Sequence, residues 1–178
     1  MKHLLFFLLI GFSGFAQETK FTFTKEGFTD YVVTTCEGKT QQEIYKKTLD
    51  WINTIYNTPK EVIKGQIENE YIRIEGAEKS LGANFQPAKY MIEISFKEGK
   101  YIFDVLSISQ FIPGYQYIPS TWREFGINNT SSYYKKSGEI KSGYKYYSIA
   151  IPNFFNNLNK NLSDFINNNE TITKKNDW

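Results

Sequence analysis

Histidine and cysteine are almost missing from this chain: each occurs once in 178 residues. The lone histidine, His3, lies in an N-terminal segment expected to be removed on export. The working chain is therefore expected to hold no imidazole, which excludes Ser-His-Asp and Cys-His nucleophilic sites and nearly every zinc site. The lone cysteine, Cys36, has no second thiol in the chain for an internal disulfide. It closes the β-branched run Thr34-Thr35, which favours burial of the thiol over pairing between chains. An excess of either charge is missing too, with 21 basic residues against 19 acidic ones. That balance offers no electrostatic footprint for nucleic acid, and no polybasic run is present to hold the chain on an anionic membrane. The sequence holds no D-x-D-x-D-G calcium loop and no GxxxxGKS/T phosphate loop, so neither metal nor cofactor is expected.

What is present begins with a three-part leader. Lys2 and His3 are basic, Leu4 to Phe15 is apolar, and Gly14-Phe15-Ala16 places small residues at the −3 and −1 positions of a cleavage site. Twelve apolar residues are too few to span a bilayer, which takes roughly 20. Residues 1–16 are thus expected to be a cleaved signal peptide, with the mature chain running from Gln17 and no transmembrane segment left after cleavage. No cysteine follows the apolar stretch, so lipid modification there is not expected. The remaining 178 − 16 = 162 residues carry 20 basic and 19 acidic side chains, a net charge of +1. That length suits one domain, expected over residues 17–168, with a frayed tail at 169–178.

Periodicity assigns the elements. Lys20 to Cys36 reads as a first strand with a break near Gly27. Thr40 and Glu43 form a capping box ahead of a helix over 40–57. Its stripe is Tyr45, Leu49, Ile52 and Tyr56, widened by Ile44, Thr48 and Ile55, with Trp51 on its flank. Short strands follow over Val62–Glu68 and Glu70–Gly76. A hairpin then joins Ala88–Lys97 to Lys100–Ile108 through Glu98-Gly99. Tyr90, Ile92, Ile94 and Phe96 share one face of its first strand. Ile102, Asp104, Leu106 and Ile108 share one face of the second. Residues 109–147 hold many breakers and are expected to be a long loop with at most short strands. A last helix follows, with Pro152 in its first turn and Ile151, Phe155, Leu158, Leu162, Phe165 and Ile166 as its apolar stripe. The class is α+β, in the order β-α-β-β-β-β-α.

Over residues 18–108 the chain resembles the exported domain-of-unknown-function family 4468, whose members share the fold of the TATA-box-binding protein. The resemblance is carried by Phe21-Thr22-Phe23-Thr24-Lys25-Glu26-Gly27-Phe28, the Trp51 helix and Ile92 to Ile108. It implies a TBP-like antiparallel sheet of about five strands with two helices on one face. It brings no assigned activity and no catalytic residues, and kinship of fold with a DNA-binding protein is architectural.

Without histidine, carboxylates are the remaining candidates for acid–base work: Glu68 with Glu70, Glu75 with Glu78, and Asp104. Solvated charge on a sheet edge is their ordinary role. Asp104 lies either on the helix-covered face or on the open one. Three Asn-x-Ser/Thr strings, at Asn128-Asn129-Thr130-Ser131, Asn161 and Asn169, match glycosylation acceptors in an asparagine-rich chain. The segment from Val105 to Trp122 has no charge and holds Phe111, Tyr115, Tyr117 and Trp122, with Arg123 and Phe125 just beyond. Tyr115, Tyr117, Trp122, Arg123 and Phe125 form the candidate binding set, because Tyr, Trp and Arg dominate binding hot spots. The alternative is that this loop folds over the sheet and its aromatics complete the core, and Tyr133, Tyr134, Tyr144, Tyr146 and Tyr147 admit the same two readings. Three functions compete. One is a non-enzymatic binding module for a protein, peptide or glycan, working in the periplasm or outside the cell. Another is a carboxylate-only hydrolase acting on glycans, and the third a structural part of an envelope assembly built by strand pairing.

Overall fold

The computed structural model describes residues 20–79, 81 and 86–168. The expected leader, its cleavage point and the 169–178 tail lie outside the described residues. The strands are β1 (Tyr31–Thr35), β2 (Ile63–Ile67), β3 (Tyr71–Glu78), β4 (Ala88–Lys97), β5 (Lys100–Ile112) and β6 (Thr121–Glu124). The helices are α1 (Gln41–Ile55), the single turn α2 (Pro59–Val62) and α3 (Lys145–Asn167). All strand pairs are antiparallel, in the order β1-β5-β4-β3-β2. The sixth strand joins the same edge of β5 as β1 does. β1 pairs with Lys100–Asp104, and β6 with Ser109–Ile112. Thirteen residues give β5 enough length for two partners in succession.

Helix α1 starts where its sequence says it should. The Glu43 amide donates to the Thr40 hydroxyl at 3.2 Å, and the Thr40 amide donates to the Glu43 carboxylate at 2.7 Å, which satisfies two of the helix's orphan donors. Trp51 is fully buried at the centre of the packed face, not on its flank, while Ile55 is exposed. The helix-side face of the sheet contributes Ile72, Ile74, Tyr90, Ile92, Ile94, Phe96, Tyr101 and Phe103 to the core. They meet Ile44, Trp51 and Ile52 of α1 and Ile151, Phe155, Leu162 and Ile166 of α3.

Three expectations need correction. Residues 20–30 are not strand. Phe23 and Phe28 form an isolated bridge, the Thr24 amide donates to the Gly27 carbonyl, and the loop folds back on itself. Its alternation serves burial all the same, because Phe21 and Phe28 stack in the core with ring centroids 5.3 Å apart. Helix α3 begins at Lys145, so Pro152 stands in its interior and is buried there. Packing of the apolar stripe outweighs the hydrogen bond that proline removes. Finally, β5 does not keep one alternation. Ile92 faces Val105 while Met91 faces Ser107, so Leu106 is an extra residue. This bulge returns Ile108 to the core beside Val105, while Ile102, Asp104 and Leu106 stay on the opposite, open face.

Candidate functional site

The strands β5 and β6 make a hairpin, registered from Ser109 opposite Glu124 to Ile112 opposite Thr121. At its tip the Tyr115 amide donates to the Ile118 carbonyl at 3.0 Å, and the Ile118 amide donates back at 2.9 Å. Gln116 adopts φ of 51°, the left-handed region that few side chains visit. A Cβ at Gly114 would stand 2.5 Å from the Ile118 carbonyl oxygen and 2.7 Å from the Ser120 amide nitrogen, so the turn closes only around glycine. Exposed turns of this kind ordinarily carry Asn, Asp or Gly. Here Tyr115, Tyr117 and Ile118 project from it with 72%, 99% and 69% of their surface exposed.

Strand alternation divides the other three residues of the candidate set. Trp122 faces the open side of the sheet, 40% exposed, edge-on to Phe111 at 5.4 Å, with the Lys89 ammonium 4.8 Å from its ring centre. Arg123 faces the helix side, opposite Gln110. Phe125 is a correction: only 6% of it is exposed, and it packs between Tyr133 at 5.1 Å and Tyr147 at 4.9 Å. It covers the core and offers no free surface. The five residues are therefore neighbours in the chain but point in three directions.

On the helix side a cleft of about 400 Å³ opens between the hairpin and the start of α3. Gln110, Ile112 and Arg123 form its floor, and Tyr133, Tyr144 and Tyr147 its walls. Tyr133 and Tyr144 stack at 4.2 Å, 18° from parallel. The Tyr147 hydroxyl donates to the Gln110 side-chain oxygen at 3.5 Å, while the Gln110 amide nitrogen is buried and has no partner among the described residues. The sequence leaves these three tyrosines open to two readings, and nothing in the local pattern marks Gln110.

The carboxylate candidates separate as well. Glu68 and Glu70 are exposed on either side of the β2–β3 turn, which Asn69 closes with φ of 63°. Glu75 pairs with Lys64 at 3.7 Å across strands. Asp104 faces the open side of the sheet, half-buried, and is pushed up to about 6, first by loss of solvent and then by the nearby carboxylates of Glu93 and Asp30. Glu93 stands directly opposite Asp104, and the Arg73 guanidinium donates twice to it, at 3.0 and 2.6 Å. Glu93 was readable in advance: a hairpin that turns at Glu98-Gly99 pairs Lys97 with Lys100, and four steps back places Glu93 against Asp104. Among the described residues no three His, Cys, Asp or Glu side chains converge as metal ligands, and no helix is long and apolar enough to cross a membrane.

No family model matches the chain, and no curated protein matches it. Two solved structures are similar. A TBP-like protein from Parabacteroides distasonis is 16% identical, with a TM-score of 0.57 over 79% of this chain and 92% of that one. A DUF4468 family protein from Bacteroides ovatus is 13% identical, with a TM-score of 0.59 over 83% of this chain and 91% of that one. At such identity the likeness speaks for the fold. The chain has a TBP-like α+β fold, an antiparallel sheet with its helices on one face, consistent with the family resemblance read from Phe21–Phe28, the Trp51 helix and Ile92–Ile108.

Proposed function

We propose that the chain is an exported, non-enzymatic binding module that engages a protein partner with the β5–β6 tip. One observation carries this reading: Tyr117 is 99% exposed on a turn whose backbone is pinned in both directions. A turn whose backbone is already fixed loses little backbone freedom on binding, and tyrosine offers rigid area with a polar end. The tip is convex and uncharged from Pro113 to Ser120, so it suits a concave apolar recess on a folded protein better than a small ligand. Export rests on the leader at residues 1–16, and the periplasm or the outside of the cell is the place of action that it implies.

The test is a photo-cross-linking residue at position 117, used in the native envelope. The expected result is one discrete adduct, lost when Tyr115→Ala and Ile118→Ala are added while circular dichroism stays unchanged. An adduct indifferent to those substitutions, or none at all, rejects the tip as the contact.

A second reading, a carboxylate-only hydrolase acting on glycans, is favoured by the environment of Asp104. A carboxyl pushed up to about 6 beside a second carboxylate, Glu93, is the kind of pair acid–base chemistry uses. It requires turnover of an envelope glycan that Asp104→Asn and Glu93→Gln each abolish. Turnover that survives both changes rejects the pair.

A further inference from the structure

We propose that the recess engaged by the tip is the cleft of a second copy of this chain, the two hairpins exchanging tips about a two-fold axis. The inference rests on the tip reading and names the tip's partner. Tip and cleft belong to one hairpin: Ile112 and Arg123 line the cleft, and the Tyr115–Ile118 turn is the tip. A two-fold axis between two such hairpins places each tip at the other's cleft.

The two surfaces match in shape and polarity. The cleft is a hollow of about 400 Å³, and the tip is a projection. Tyr133 stacks on Tyr144 at 4.2 Å and on Phe125 at 5.1 Å, so this wall is fixed before anything binds and costs little to order. Arg123 is the cationic head of the cleft. Strand alternation turns Glu124 to the open face, and α3 has no acidic residue in its first turn. Arg123 is also in no salt bridge among the described residues, so its charge stands uncancelled. A guanidinium takes aromatic faces and backbone carbonyls as partners. The tip offers both. The Tyr117 ring is exposed, and the Gln116 and Tyr117 carbonyls accept no hydrogen bond among the described residues. From Pro113 to Ser120 the tip carries no charge to oppose Arg123.

Area favours a second copy over an unrelated protein. At about 200 Å² for a whole tyrosine, Tyr115 and Tyr117 offer about 340 Å² at each tip. One tip in one recess, counting both surfaces, covers about 700 Å², short of the roughly 1,200–2,000 Å² of stable complexes. A two-fold axis makes the contact twice and brings the total to about 1,400 Å², inside that range. Reciprocity also closes the assembly. One-way insertion would leave a free tip at one end and an empty cleft at the other, and copies would keep adding.

The experiment is sedimentation equilibrium on the purified mature chain and its variants. The parent is expected to be a dimer. Tyr115→Ala/Tyr117→Ala removes the rings of the tip, and Gly143→Trp fills the cleft. Gly143 lines the cleft and a Cβ there meets no atom within 4 Å, so the fold accommodates the new side chain. Each of these variants is expected to dimerise about a hundredfold more weakly than the parent, and Arg123→Ala about tenfold. An equal mixture of the tip and cleft variants keeps one contact. It is expected to associate about tenfold more tightly than either variant alone, which misfolded chains would not do. A parent that stays monomeric overturns the proposal. So do a dimer that the tip and cleft variants leave intact, a mixture no tighter than its parts, and an association that grows beyond two copies. The tip reading is judged apart, by the adduct at position 117 in the native envelope: an adduct to a different protein keeps that reading and overturns this one.

Discussion

The hydroxyl of Tyr101 on β5 donates to the side-chain oxygen of Asn159 on α3 at 2.8 Å, and the Asn159 amide nitrogen donates onward to the Thr34 hydroxyl of β1 at 3.1 Å. Thr34 stands opposite Tyr101 in the sheet, so one buried asparagine ties a helix to two paired strands. Replacing Asn159 by Leu leaves the Tyr101 hydroxyl only the backbone carbonyl of residue 159, at 3.2 Å, and takes the Asn159 side chain from the Thr34 hydroxyl, and we expect a loss of about 1–3 kcal/mol in urea unfolding. Adding Tyr101→Phe should recover part of that loss, because the Tyr101 hydroxyl is then gone while the Thr34 hydroxyl remains. A double variant no better than Asn159→Leu alone would show that the hydrogen bond is not what matters.

Gly76 faces Tyr90 across the β3–β4 pair, and a Cβ there would stand 2.3 Å from the Tyr90 ring carbon Cζ and hydroxyl. That ring cannot easily yield, since it is buried and its hydroxyl lies 2.8 Å from the Tyr56 hydroxyl. Gly76→Ala is expected to cost about 1–3 kcal/mol, and trimming the tyrosine with Tyr90→Leu should make the same alanine harmless.

Asp104 makes stability depend on pH. Its carboxyl is pushed from 3.8 to about 6 in the folded chain, so between those values the folded state binds more protons than the unfolded one. Stability from this group therefore falls as pH rises through that window and is level above it. The full rise corresponds to about 3 kcal/mol, which solvent around a half-buried carboxyl reduces to about 1 kcal/mol. Asp104→Asn should then be more stable than the parent by about 1 kcal/mol at pH 7, with the two converging below pH 4. Parallel pH–stability curves would remove this account.

Cys36 is fully buried, and burial pushes its thiol up to about 11. We expect no alkylation by iodoacetamide at pH 8 in the folded chain and complete alkylation once urea unfolds it. Rapid labelling of the native chain would contradict the burial.

The long periodic elements could be read in advance because their signals are local. The capping box and stripe of α1, the β4 strand and the Glu98-Gly99 turn each depend on residues a few positions apart. The start of α3 could not, because Pro152 is a local argument against a helix and packing overrides it. The β5 bulge could not either, since an extra residue is invisible until a partner strand counts against it. For the candidate site, the uncharged aromatic run marked the stretch that forms the β5–β6 hairpin but not its geometry. Trp122, Arg123 and Phe125 are consecutive or nearly so, and alternation together with burial sends them to the open face, the cleft and the core.

Composition and short-range pattern alone determined the α+β class, the element order apart from α2 and β6, and the scarcity of histidine and cysteine that narrows the chemistry. These are one-dimensional properties, complete once the residues are in order. The tertiary structure decided which faces meet: that Phe21 and Phe28 stack in the core, that Asp104 takes the open face of the sheet, and that Gln110 and Tyr144, distant in sequence, line one cleft. The physical reason is that burial and loss of solvent belong to the packed assembly, and no segment carries them before its neighbours are in place.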